Sequence, residues 1–376
     1  MIKPRAYVSV TNDLYTDNRV DKVCLFLVNQ GYEVTLIGRQ RKLSKPLSER
    51  VYSTKRLRLI AEKGALFYAV FNIRLALFLI TRKRIDLLVA NDLDTLLANY
   101  TTQLIRRKSR LVYDSHEYFT EVPELINRPQ VKRIWEKIEH FTLPKVSEMY
   151  TVNASIAALY EKQYNRAVHV IRNIPPLWKP KQIPSKAELG IPENCFLIII
   201  QGAGINIDRG AEEAVEAMLH LENAVLMIVG DGDVVPQLKK YVNDYDLNEK
   251  VLFFGKRPYN ELMYFTYHAS IGLTLDKPKN LNYRFSLPNK VFDYIHAETP
   301  FICTKLIEVA QVAEKYQVGW VLEELNPIHL AEQIREIQAN PSALELKKEH
   351  CRNAARHENW ENECIQLSVI YPKVNL

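Results

Sequence analysis

The sequence lacks the means for a disulfide framework. Its five cysteines, Cys24, Cys195, Cys303, Cys351 and Cys364, are odd in number, widely spaced and mostly set in apolar runs. That is the pattern of reduced, buried thiols, not of an oxidised scaffold or a metal site. A membrane-spanning run is missing as well, because the most apolar stretch, Gly64 to Ile80, is seventeen residues long and carries Arg74 near its centre, where a spanning helix needs ~20 apolar residues. The opening MIKPRAYVSV enters a strand pattern without a signal-peptide core, so the cytoplasm is the expected address. No motif for reading nucleic acid is present, and no nucleic-acid partner is expected.

What is there is an ordinary globular composition, 47% hydrophobic and 25% charged, in a chain of 376 residues, long enough for two domains. The net charge of +6 is unevenly spread: residues 1–172 hold 29 Lys and Arg against 17 Asp and Glu, and the remainder hold 21 against 27. A half-chain at +12 suits either an anionic partner, such as a membrane surface, or a merely solvated basic face.

Short apolar runs alternate with amphipathic segments throughout, as βα units around parallel sheets require. In the first half the predicted strands are Ala6 to Val10, Glu33 to Ile37, Leu87 to Ala90, Leu111 to Tyr113, Met149 to Val152 and Val168 to Ile171, with helices such as Arg19 to Asn29 and Asp94 to Ile105 between them. Pro175, Pro176, Pro180 and Pro184 then crowd a segment that no helix or central strand tolerates, and residues 175–190 read as a linker. The alternation restarts with Phe196 to Ile200, Val225 to Val229, Val251 to Phe254, Ile271 to Leu275, Phe301 to Thr304 and Gly319 to Leu322, while Pro341 to Tyr371 has only helical periodicity. The expected domains are 1–174 and 191–357, with residues 358–376 forming a helix that returns to the first.

In open α/β sheets the ligand sits beyond the carboxyl ends of the strands. After the first strand of the second half come Gly202, Ala203, Gly204, Arg209 and Gly210, leading into a helix. Glycines let amides approach a phosphate and Arg209 offers a bidentate fork, although a tight turn with a surface arginine gives the same letters. Ile207 replaces the third glycine of a dinucleotide fingerprint, which disfavours NAD. Gly232 sits in a second turn at the same edge, where Asp233 is placed to cap a helix. Pro288, Asn289, Lys290 and Asp293 open another helix; Pro288 suits its first turn, whose free amides would join Lys290 on a diphosphate. The alternative there is an ion pair between Lys290 and Asp293 one turn apart. In the first half, Asp114, Ser115, His116 and Glu117 follow a strand directly, where chemistry rather than packing is expected, although a hydrogen-bonded structural histidine gives the same letters. Asn12 and Asp13, and Asn91, Asp92 and Asp94, line the same rim, though Asn and Asp are also common helix caps.

Together these segments resemble family 4 of the glycosyltransferases, the retaining GT-B enzymes. The matching residues run in order: Asn12-Asp13 with Asp17-Asn18-Arg19-Val20, Asn91 to Leu96, Tyr113 to Glu117, Thr151-Val152-Asn153, Arg172-Asn173, Arg209-Gly210, Pro288-Asn289-Lys290 and Asp293-Tyr294. The resemblance implies two tandem Rossmann-like domains facing a cleft, with C-terminal helices. It implies a UDP- or GDP-linked sugar donor held mainly by Gly202, Gly204, Arg209, Gly232, Asn289, Lys290 and Asp293, with no metal and no other cofactor. Arg209 and Lys290 would neutralise the departing diphosphate, Asp293 would hold the ribose, and His116 would contact the transferred sugar. The acceptor side would comprise Asn12, Asp13, Asp17, Asn18, Asp92 and Glu117, taking a glycan or a lipid-linked acceptor.

The chain departs from the family pattern in two respects, each involving two residues. Arg209 stands at the family's Lys, with Ala203 near its expected Arg; Phe285 stands at the first of two family Glu residues, and Asp293 replaces the second. A GT-B sugar-nucleotide epimerase and a noncatalytic nucleotide-sugar- or glycan-binding protein therefore remain alternatives to a glycosyltransferase of surface polysaccharide synthesis. Gly64 to Ile80, flanked by Lys55, Arg56, Arg58, Lys63, Arg82, Lys83 and Arg84, is either a helix buried on the first sheet or a peripheral anchor at the inner face of the cell membrane.

Overall fold

Parallel strands covered by helices on both faces read apolar without alternation, and Leu87–Asn91 and Ala224–Gly230 are buried at every position. The computed structural model describes residues 3–15 and 17–374. It divides into two compact units, Met1–Asn173 with Cys364–Leu376, and Ile174–Glu363. In unit 1, β1 (Arg5–Ser9), β2 (Glu33–Gln40), β3 (Ser53–Arg58), β4 (Leu87–Asn91), β5 (Arg110–Ser115), β6 (Glu148–Thr151) and β7 (His169–Val170) form one sheet in the order β3-β2-β1-β4-β5-β6-β7. In unit 2, β8 (Phe196–Gly202), β9 (Ala224–Gly230), β10 (Val251–Phe253), β11 (Ile271–Thr274), β12 (Phe301–Thr304) and β13 (Gly319–Leu322) follow the order β10-β9-β8-β11-β12-β13. Every pairing is parallel. The strand order reverses at β1/β4 and again at β8/β11, the two places where ligand crevices open in such sheets.

Alternate residues of sheet two feed separate cores. Ile198, Ile200, Leu226, Ile228 and Leu273 pack on one side, and Leu197, Ile199, Met227, Val229 and Phe301 on the other. None of the five cysteines forms a disulfide, and Cys24, Cys303 and Cys351 are buried in the cores.

Two elements differ from the sequence expectation. Strand β3, STKRLR, was not expected; only its Leu57 is buried, so it carries no apolar signature, and its Lys and Arg residues mark it as a protected edge. The run Val168 to Ile171 pairs only over His169–Val170. The proline-rich segment belongs to unit 2 and contains a short helix, Lys186–Leu189, opened by a reciprocal capping box between Ser185 and Glu188.

The C-terminal stretch is helical, as its periodicity indicates, with helices Pro341–Ala355 and Trp360–Ile370. Its last residues complete unit 1. Tyr371 is fully buried edge-on to Tyr150, Arg110 Nη2 donates to the Ile370 carbonyl at 2.5 Å, and the Val374 amide donates to Gln30 O at 2.9 Å. Helix Gly64–Ile80 buries Phe67, Phe71, Leu75 and Leu79, while its opposite stripe is exposed. No described helix is long and apolar enough to cross a membrane.

Glycines stitch the strand-end turns of sheet two. Gly230 has φ 153°, and a Cβ there would lie 1.8 Å from the carbonyl oxygen of Gly202. Gly210 has φ 76°, and a Cβ would meet Leu275 Cβ at 2.3 Å. Gly230→Ala should therefore destabilise unit 2 by about 2 kcal/mol or more, read as a lower thermal midpoint; an unchanged midpoint would show that the two turns separate without penalty.

Candidate active site

In unit 1 the functional side chains gather where β1, β4 and β5 end. Asp114, at the end of β5, is fully buried and forms a bidentate pair with the buried Arg19 of helix Asn18–Asn29, at 2.7 Å from Nη2 and 3.3 Å from Nε. Arg19 also donates from Nη1 to the Ile171 carbonyl at 3.1 Å. Burial opposes ionisation of Asp114, but Arg19 and His116 hold it well below the usual carboxylate range. Removing one member of such a pair leaves an uncompensated buried charge, at ~3–5 kcal/mol.

His116 continues the ladder. Its Nε2 lies 3.4 Å from Asp114 Oδ2 and 3.3 Å from Asn91 Oδ1, its Nδ1 lies 3.2 Å from Asp92 Oδ2, and its backbone amide donates to Asp92 Oδ1 at 2.9 Å. Burial favours the neutral ring, yet the carboxylates of Asp92 and Asp114 outweigh it and push His116 up to about 9. The paired carboxylates thus favour the protonated ring, and 22% of the side chain stays exposed.

Asp92 does not take the helix-cap alternative that its residue type allows. It precedes helix Leu93–Ile105 but makes no side-chain capping bond, and its backbone sits at φ 57°, ψ 164°. That region is all but reserved for glycine and carries ~1–3 kcal/mol of strain. The strain turns the carboxylate away from the helix and onto His116. Asp94, one turn in, accepts from Thr11 Oγ1 at 2.6 Å, and burial beside Asp92 pushes it up to about 7.

The other predicted residues of this rim have local duties. Asp17 caps its helix through the Val20 amide at 3.0 Å and also accepts from Asn12 Nδ2. Asn12 Oδ1 and Asp13 Oδ1 accept the amides of Leu14 and Tyr15, closing the loop after β1. Asn18 is exposed at the helix start, and Glu117 is exposed, its carbonyl accepting from Ser115 Oγ at 2.7 Å.

In unit 2 the centre is a residue that the motif reading passed over. Asp276, just beyond β11, is 1% exposed and receives Arg209 Nη1 at 2.9 Å and Lys290 Nζ at 3.4 Å. Thr304 Oγ1 pins its backbone carbonyl at 2.7 Å. The signal was in the sequence, since Asp276 directly follows the predicted strand Ile271 to Leu275. Arg209 and Lys290 keep 29% and 13% of their side chains exposed, and the Arg209 guanidinium lies over the Tyr283 ring, 5.1 Å from its centroid. Two cations on one carboxylate leave a local excess of positive charge at the strand-end edge.

Asp293 lies in a second buried network. Its Oδ1 accepts from Tyr259 Oη at 2.9 Å and its Oδ2 from Gln201 Nε2 at 3.1 Å, while Gln201 Oε1 accepts from Thr266 Oγ1 at 2.6 Å. Tyr259 and Gln201 were not foreseen. Phe285 and the exposed Ala203 bring no charge to the places where the family pattern has Glu and Arg.

Three further expectations are corrected. Pro288 lies outside the helix, which runs Lys290–His296 with Asn289 flanking it. The amides of Val291 and Phe292 are taken by the carbonyls of Pro288 and Asn289 at 3.0 and 2.9 Å. Gly232 is required by packing, because a Cβ would lie 2.0 Å from Ile205 O, whereas a Cβ on Gly204 would meet Asn206 Nδ2 at an ordinary 3.8 Å. Asp233 does not cap the following helix; its Oδ1 accepts the Ile207 amide at 3.1 Å, tying the two glycine turns together. Among the described residues no cluster of three or more His, Cys, Asp or Glu is arranged to hold a metal ion.

Two family models match nearly end to end: "Glycosyltransferase Family 4" over residues 17–174 and "Glycosyl transferases group 1" over residues 182–358. The chain belongs to the GT-B glycosyltransferases of the family 4 type. Solved glycosyltransferases share its fold. Sucrose-phosphate synthase from Thermosynechococcus elongatus superposes with a TM-score of 0.77 at 17% identity over 98% of each chain. HepE from Anabaena, in complex with UDP-glucose, gives 0.74 at 15% over 98% of this chain and 100% of that one. WaaG, a glycosyltransferase involved in lipopolysaccharide biosynthesis, gives 0.71 at 15% with the same coverage. No curated protein sequence matches significantly.

In this glycosyltransferase the folded His116 binds its proton more tightly than the unfolded chain does, so its contribution to stability is complete below the unfolded value of ~6.5 and is lost as pH rises through about 9. Asp92→Asn should lower the His116 titration midpoint, followed by nuclear magnetic resonance of the ring. A midpoint that stays near 9 would show that Asp114 alone sets the charge.

Proposed function

We propose that the protein transfers a sugar, with retention at the anomeric carbon, from a UDP- or GDP-linked donor to a glycan or lipid-linked acceptor, in the cytoplasm at the inner face of the cell membrane. The proposed setting is surface polysaccharide synthesis. The reading is carried by one observation: Arg209 and Lys290 converge on the buried Asp276 at the carboxyl edge of sheet two, with charge to spare for a diphosphate. UDP, UDP with glucose, and UDP-glucose are bound in the HepE structures, which favours a uridine donor here.

In the step proposed, the bond from the anomeric carbon to the diphosphate oxygen breaks and a bond to the acceptor oxygen forms on the same face. The acceptor hydroxyl proton passes to the departing phosphate oxygen. Arg209 and Lys290 stabilise the charge that develops on the diphosphate, the electrostatic term that commonly dominates catalysis. They take over the role a metal ion would otherwise have. His116, held as an imidazolium by Asp92 and Asp114, orients hydroxyls of the transferred sugar as a donor already fixed in place.

UDP should bind in the presence of chelator, and Lys290→Ala should weaken it at least about tenfold, ~1.4 kcal/mol, by calorimetry. Undiminished affinity in that variant would remove Lys290 from the donor site. His116→Ala should lower turnover by about 10²-fold or more while UDP affinity stays within about twofold. Wild-type turnover in that variant would make the His116 ladder a purely structural device.

A further inference from the structure

Helix Gly64–Ile80 carries a single charged residue, the exposed Arg74, whose guanidinium donates to the Arg58 carbonyl. A surface helix gives one apolar stripe to the core and presents charge on the other. Here the inner stripe is Phe67, Phe71, Leu75 and Leu79, and the outer stripe is again aliphatic: Leu66, Ile73 and Leu77, exposed to 58%, 59% and 60%. Ile60, just before the helix, is 79% exposed, and Leu43, in the loop after β2, is 94% exposed. That loop is fastened beside the helix start, because the Lys42 amide donates to Glu62 Oε1 at 3.1 Å and Arg39 Nη1 to Glu62 O at 3.0 Å.

Cations surround these aliphatics. Residues 39–84 hold thirteen Lys and Arg against two acids, Glu49 and Glu62. Lys42, Lys55, Arg58, Lys63, Lys83 and Arg84 are exposed, while Arg82 folds its guanidinium over Phe78 at 4.4 Å.

We propose that this face docks on the surface of an anionic lipid bilayer, with Leu66, Ile73 and Leu77 entering the acyl boundary and the surrounding Lys and Arg meeting lipid phosphates. Charge complementarity selects this occupant. A second copy of the chain, meeting the same face across a two-fold axis, would bring these exposed cations against themselves. The helix is also registered to the strand-end edge of unit 1, since Asn72 Nδ2 donates to Asp94 O at 2.7 Å and its Oδ1 accepts the Ala98 amide at 3.1 Å. Docking therefore holds the His116 edge at a fixed attitude to the membrane, which gives the face its purpose if the acceptor is lipid-linked, the reading on which this inference rests.

The full-length protein is sedimented with phosphatidylglycerol–phosphatidylcholine vesicles and with pure phosphatidylcholine vesicles, at low and high salt. Binding to the anionic vesicles at low salt, its release by high salt and its absence with neutral vesicles are expected. The double variant Ile73→Ser/Leu77→Ser should bind at least about tenfold more weakly with an unchanged thermal midpoint, and Lys63→Glu/Arg84→Glu should do the same. Wild-type protein that stays in solution with anionic vesicles at low salt would overturn the proposal, as would full binding by the serine variant or a wild-type dimer, seen by light scattering, that the serine variant loses. UDP affinity measured on the same samples separates the two readings: vesicle binding reports on the docking face alone, and UDP binding on the donor site alone.

Discussion

A carboxylate stripped of water must be given cations by the chain around it, and this constraint organises both units. Asp114 and Asp276 lie at the carboxyl ends of β5 and β11, exposed to 0% and 1%. In unit 1 the demand is met by Arg19, itself 5% exposed, and by His116, 22% exposed. In unit 2 it is met by Arg209 and Lys290, whose side chains still reach solvent. The same device thus stands at the strand-end edge of each unit, with a cationic side chain that still reaches solvent in both.

The twelve apolar runs were legible because a parallel sheet covered on both faces leaves its strands no alternation to disguise them. Strand β3 was not legible, because an edge strand protected by Lys55, Arg56 and Arg58 resembles a basic loop. At the site, the sequence marked His116, Arg209 and Lys290 by their positions after strands but could not say what they touch. Asp276 stood in an equally marked position and was passed over because it belongs to no family motif. The networks of Asp293 with Tyr259 and Gln201 join residues 34 and 92 positions apart, a relation that no local pattern encodes.

Asp17 and Asp92 show the limit most sharply. Both are aspartates directly before a helix, a position where Asp is a common cap, and the sequence placed both on the acceptor side. Asp17 does cap; Asp92 adopts a backbone conformation that forgoes the cap and gives its carboxylate to His116. The difference lies in φ, which the surrounding sheet imposes and the residue type does not.

The placement of residues 364–376 in unit 1 has a consequence for the order in which the chain matures. Arg110, Tyr150 and Gln30 emerge early from the ribosome, but their partners at Ile370, Tyr371 and Val374 emerge only after all of residues 174–363. At ordinary elongation rates that interval is about 10 to 40 s. Unit 2, a continuous segment, can close its two cores while unit 1 still exposes the site that Tyr371 will fill.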